Sequence, residues 1–116
     1  MARQDVDWPN LSYVSLNSNA MTEVPSILKF LPKLKQLHLH MNKLTQVREL
    51  CRREFENLDV LDLGNNKITE VPVALAHYCK SLGTLNLINN DLAALPSLLG
   101  LHANLKNLQI EGNPVK

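Results

Sequence analysis

Residues 58–66 read "LDVLDLGNN", with leucine at the first, fourth and sixth positions and asparagine at the ninth. The same phrase returns at residues 11–19, 34–42, 82–90 and 105–113, with Val14 and Ile110 replacing two leucines. Its closing asparagines, Asn19, Asn42, Asn66, Asn90 and Asn113, stand 23, 24, 24 and 23 residues apart. A fixed period of this size belongs to stacked supersecondary units rather than to one globular core. The alternation within the phrase suits a short strand. Positions one, four and six point inward and the residues between them point outward. We therefore expect an α/β repeat solenoid whose strands start near residues 11, 34, 58, 82 and 105.

Asparagine falls where the chain leaves each strand. Its amide both donates and accepts, so it can satisfy loop backbone groups that stacking removes from water. Repeated once per coil, it forms a ladder. The apolar beat continues through Met21, Leu44, Ile68, Leu92 and Val115, then Val24, Val47, Val71 and Leu95. Proline follows as Pro25, Pro72 and Pro96. A fixed φ and a missing N–H end strand pairing and suit the turn onto an outer arc. Arg48 stands where the second repeat lacks this proline, and we expect a more helical outer segment there. The stretch "RELCRREFE" (48–56) reads as one or two turns of surface helix with Leu50, Cys51 and Phe55 inward.

This pattern resembles the leucine-rich repeat family in its 23–24-residue form, with "LPxxLxxL" return segments. The resemblance covers residues 8–116, with five matches in register. It implies an arc with a parallel concave sheet and short helical, 3-10 or extended segments on the convex side. The ending, with Glu111, Gly112, Asn113 and Pro114, is similar to the way intracellular members close their last repeat. Within the family it resembles Ras-group members and the relatives of leucine-rich repeat-containing protein 40. Family members commonly bind other proteins on the concave face, and the resemblance implies the same here.

Composition agrees. The 116 residues are 45% apolar but only 4% aromatic, so leucine does the packing. Net charge is +1, which gives no support for a nucleic-acid or anionic-membrane partner. The start, "MARQDVDW", is too polar for a signal peptide, and no apolar run approaches membrane-spanning length. We expect a cytoplasmic, intracellular protein in which Cys51 and Cys79 are free, buried thiols. The sequon at Asn10 overlaps the first strand and matches by chance. Trp8 aligns with Leu31, Phe55 and Cys79, as the last outer position of a preceding repeat. We expect residues 1–116 to be a single array of about five repeats from a longer protein, able to associate end to end through uncapped coils.

Catalytic motifs are missing: no phosphate-binding glycine loop, nucleophile elbow, Cys-x-x-Cys or His-Glu-x-x-His occurs. We expect no enzyme and no cofactor. His38 and His40 lie two apart on one strand face, with Asp62 the register partner of His38. Two imidazoles and a carboxylate can bind zinc, giving an alternative metal-binding or hydrolytic reading. A polar patch with a His38–Asp62 hydrogen bond is the favoured reading. The concave rows are Tyr13, Gln36, Val60, Thr84 and Asn107; Ser15, His38, Asp62, Asn86 and Gln109; Asn17, His40, Gly64, Ile88 and Glu111; and Ser18, Met41, Asn65, Asn89 and Gly112. From these we take Tyr13, Met41, Val60 and Ile88 as apolar anchors for a protein partner. His38, His40, Asp62, Asn86 and Gln109 supply polar contacts. A purely architectural segment with no partner of its own is the remaining alternative.

Overall fold

Each phrase folds as a three-residue strand: β1 Tyr13–Ser15, β2 Gln36–His38, β3 Val60–Asp62, β4 Thr84–Asn86 and β5 Asn107–Gln109. The computed structural model describes residues 8–94, 102 and 104–115. The strands form one parallel sheet in the order β1-β2-β3-β4-β5. Register is unbroken, so Tyr13, Gln36, Val60, Thr84 and Asn107 align, as do Ser15, His38, Asp62, Asn86 and Gln109. Parallel strands need a crossover, and the rest of each repeat provides it. Pairing also outlasts the strands. The eighth-position N–H groups of Ser18, Met41, Asn65 and Asn89 donate to His40, Gly64, Ile88 and Glu111 oxygens at 2.8–2.9 Å.

The leucines of the three middle phrases are fully buried. They pack with Leu44, Ile68, Leu92, Val24, Val47 and Val71 in one continuous core. Burial weakens at the outer strands. Val14, Leu16, Leu105 and Ile110 are half-buried, and Leu108 is 37% exposed. The middle coils are covered on both sides, whereas the first and last described coils have one described neighbour each. Trp8 differs from its expected environment for the same reason. Its aligned partners Leu31, Phe55 and Cys79 are buried, yet Trp8 is 52% exposed.

The outer arc is irregular. Pro25 leads into a 3-10 helix at Ser26–Phe30, and Pro72 is followed by α1, Leu75–Tyr78. The one or two helical turns expected after Arg48 are present, but as separate 3-10 turns rather than one helix. That repeat carries two 3-10 turns, Arg48–Leu50 and Arg53–Phe55, separated by an extended Arg52 at φ −144°. Leu50 and Phe55 must both reach the core, and both are buried. Residues five apart lie roughly 140° apart around an α-helix, so a continuous helix would point one of them away. Leu95 and Pro96 lie outside the described residues.

The turn off each strand has a feature the alternation does not show. Strict alternation from an inward sixth residue would send the ninth outward. Ser18, Met41, Asn65, Asn89 and Gly112, all eighth residues, have φ between 55° and 79°. This left-handed residue reverses the alternation and brings the asparagine inward. The fourth concave row is therefore a line of turns along the rim of the sheet.

Asn42, Asn66, Asn90 and Asn113 each join two coils, whereas the exposed Asn19 side chain donates only to Leu16 and Asn17 oxygens of its own coil. Asn66 Nδ2 donates to Leu63 and Gly64 oxygens in its own repeat and to Leu39 O in the preceding one. Its Oδ1 accepts from Leu44 N at 3.0 Å. Asn90 repeats the set with Leu63, Leu87 and Ile88 oxygens and with Ile68 N. Asn42 Oδ1 accepts from Asn19 N and Met21 N, and Asn113 Oδ1 from Leu92 N. These backbone groups face the interior, where an unpaired donor or acceptor is costly.

Asn66→Ala or Asn90→Ala should therefore destabilise the array by about 1–3 kcal/mol in chemical denaturation. Asn65→Gly, one residue earlier, keeps the left-handed turn and should leave the midpoint almost unchanged. Asn65→Ala retains a Cβ at positive φ and should cost about 1 kcal/mol for that strain. Indistinguishable midpoints for Asn66→Ala and Asn65→Gly would refute the ladder as a source of stability.

Candidate functional site: the concave face

Outward-facing side chains of adjacent strands lie about 4.8 Å apart, so the sheet imposes a lattice on whatever residues occupy it. Tyr13 and Met41 are 55% and 54% exposed. Val60 and Ile88 are half-buried, as are His38, His40, Asp62 and Asn86, while Gln109 is exposed. The anchors are thus unequal: Tyr13 and Met41 stand clear, and Val60 and Ile88 are partly covered. Tyr13 lies beside His38, with ring centroids 5.1 Å apart and planes tilted by 36°.

Asp62 organises the middle of the lattice. Its Oδ1 accepts from Gly64 N at 3.1 Å and from Asn86 Nδ2 at 2.9 Å. The first bond closes a local turn two residues on, a habit of Asp and Asn. Asn86 does the same one strand over, its Oδ1 accepting from Ile88 N at 3.0 Å. Asn17 reaches across instead, accepting from His40 N at 2.6 Å. Gly64 is buried beneath this group. A Cβ there would meet His40 Nδ1 at 2.8 Å, Asn86 Nδ2 at 3.1 Å and Asp62 Oδ1 at 3.3 Å. The missing side chain lets three polar groups converge.

The imidazoles flank Asp62 without binding it. His38 Nδ1 is 3.7 Å from Oδ2, and His40 Nδ1 is 3.8 Å from Oδ1. The expected His38–Asp62 hydrogen bond is not formed, since 3.7 Å is beyond hydrogen-bond range; His38 Nε2 pairs with Gln36 Oε1 at 3.3 Å on its own strand. The metal reading is also corrected. Among the described residues no group of three or more His, Cys, Asp or Glu side chains is set to hold a metal ion. The two imidazoles approach different carboxylate oxygens, one of which already accepts two hydrogen bonds, so no single point collects three ligands.

The convex side carries apolar exposure that the repeat pattern did not single out. Ile27, Phe30 and Val73 are exposed there. Val24, Pro25, Lys29, Glu49, Arg52 and Phe55 border a cleft of about 130 Å³ on that side. Arg52 and Arg53 are exposed, and Arg52 pairs with Glu54 at 3.2 Å. Phe30 and Ile27 were visible as apolar residues outside the core beat, but nothing in their spacing distinguished exposure from burial.

The two thiols occupy neighbouring coils. Cys79 is buried, with Sγ 3.6 Å from Leu50 O, and Cys51 is half-buried; both are free. Burial pushes the Cys79 thiol up to about 12, and the negative charge of an ionised Cys51 adds to the rise. Burial raises Cys51 as well. Their different phases in the repeat concealed this proximity.

The fold and its lattice define a repeat solenoid that presents a sheet surface. The family model "Leucine Rich repeats (2 copies)" matches residues 9–52 and again residues 56–99. The chain belongs to the leucine-rich repeat family. It is similar to a solved leucine-rich repeat protein of Leptospira interrogans, with 34% identity and a TM-score of 0.82. The match covers 96% of this chain and 30% of that one, so the chain spans under a third of its length. Among curated proteins nothing matches.

Two measurements follow from the thiols. Cys79 should resist alkylation in the folded protein and react on unfolding, since reagents attack the thiolate. A raised folded value means that the native state keeps its proton longer than the unfolded chain. The Cys79 contribution to stability should be complete below the ordinary value of 9.0 and disappear as pH rises to about 12. Cys79→Ala should flatten that alkaline decline relative to wild type. Rapid alkylation of both thiols in native protein would show that neither is protected.

Proposed function

We propose that this array is a noncatalytic protein-interaction module that receives its partner on the concave face. The observation that carries the reading is the continuous register of the five-strand sheet. It sets Tyr13, His38, Asp62 and Asn86 on one surface, where a single partner touches several at once. Leucine-rich repeats commonly mediate protein–protein interaction, which favours the same use here. Exposed Tyr13 and Met41, beside polar neighbours, supply the mixture typical of binding surfaces. The two free thiols favour a reducing, cytoplasmic setting. The ending through Glu111 and Asn113 favours an intracellular member of the family.

The test is affinity capture with wild type beside a variant combining Tyr13→Ala, Met41→Ala, His38→Ala and Asp62→Ala. Partners lost from the variant and kept by Arg52→Ala/Arg53→Ala support the concave face. Against an isolated partner, Tyr13→Ala alone should weaken binding by about 1–2 kcal/mol without unfolding the array. Capture unaffected by the concave changes but lost with Arg52 and Arg53 would move the site to the outer arc. Capture indifferent to both would favour an architectural segment.

A further inference from the structure

We infer that the centre of the concave face receives a cationic side chain, arginine or lysine, from the protein partner. This deepens the concave-binding reading and rests on it. The first observation concerns the atoms around Asp62. With Gln36 Oε1 as its acceptor, His38 Nε2 donates along its own strand, and Nδ1 is turned toward the carboxylate. It faces Asp62 Oδ2 across 3.7 Å, and that oxygen takes no hydrogen bond among the described residues. On the other side of the carboxylate, His40 Nδ1 has no hydrogen-bond partner but is closed off from solvent, so the open position is at Oδ2. An ammonium or guanidinium group brings several N–H donors to that open oxygen and a fixed positive charge beside the carboxylate.

The second observation is independent of these distances. The chain has 12 Lys and Arg against 11 Asp and Glu, yet none of the basic residues occupies the four concave rows. The acids in those rows are Asp62 and Glu111. Lys35 and Lys106 stand just before β2 and β5, in one row with Asp59 and Gly83, and Arg48, Arg52 and Arg53 lie on the outer arc. A chain of net charge +1 therefore presents a concave surface whose formal charge is negative. Such a face attracts cationic partners and disfavours acidic ones. Gly64 is part of the arrangement. By removing a Cβ from beneath the group, it allows Gly64 N and Asn86 Nδ2 to hold Oδ1, so that Oδ2 remains turned to the visitor. Tyr13, 5.1 Å from the His38 ring, offers an aromatic surface close to an incoming guanidinium.

The probe is a blocked pentapeptide with arginine between pairs of glycines, titrated into isotope-labelled protein and followed by NMR. Saturable shifts should centre on the Gly64 and Asn86 amides and the His38 ring. The citrulline peptide, nearly the same shape without the charge, should bind about tenfold more weakly, and a glutamate peptide should not bind. Asp62→Asn keeps an oxygen for Gly64 N and should weaken arginine binding by a similar factor. Glu54→Gln removes the same charge from the outer arc and should leave binding unchanged. Equal responses to arginine and citrulline, or an undiminished response in Asp62→Asn, would overturn the inference. So would zinc shifting His38 and His40 in a protein indifferent to the arginine peptide. If the peptide fails while concave substitutions still abolish partner capture, this inference falls and the module reading stands. If the peptide binds at Asp62 but capture ignores the concave face, the cation site stands and the module reading falls.

Discussion

The whole arc depends on satisfying backbone groups where each coil turns away from the sheet. A parallel strand of three residues has little stability alone, and its continuation into a loop carries N–H and C=O groups into the interior. Leucine can fill that interior but cannot hydrogen-bond. The asparagine amide does both jobs at the turn, accepting from one coil while donating to oxygens of two. Stacking the coils without it would bury unpaired polar groups at every repeat, and removing the stacking would expose the leucines. Each requirement is met only when the neighbouring coil is in place, which is why stability here is a property of neighbours.

That constraint leaves the concave surface free to carry chemistry. Because register is set by buried leucines and asparagines, outward residues can change without altering where their Cα atoms lie. The centre illustrates the result. Asp62 is positioned by Gly64 and Asn86, while the two histidines stand just beyond hydrogen-bond range. A carboxylate with one committed and one open oxygen suits recognition better than metal coordination, since the ligands do not converge on one point. Among the candidate anchors, Tyr13 and Met41 project, whereas Val60 and Ile88 are half-buried.

The outer arc follows a looser rule. It must return the chain over a fixed distance and deliver two or three apolar side chains to the core. A 3-10 helix after Pro25, two 3-10 turns around extended Arg52, and the short α1 all satisfy it. Proline sets the entry to such a segment but does not choose its helix type, and the repeat with Arg48 in its place forms two 3-10 turns.

The amino-acid sequence by itself determined the period, the strand positions, the register of the concave rows and the inward leucines. These follow from the spacing of side chains that must leave water, which is a one-dimensional property. Tertiary structure alone decided what neighbouring coils do to one another. It set the left-handed eighth residues that turn the asparagines inward, the closeness of Cys51 and Cys79, and the exposure of Trp8. It also decided that His38 turns to Gln36 rather than Asp62. Strand spacing brings Asp62 within reach of both histidines, but rotamers and competing partners choose among bonds a few tenths of an ångström apart. Those choices depend on three-dimensional crowding, which a repeat pattern does not encode.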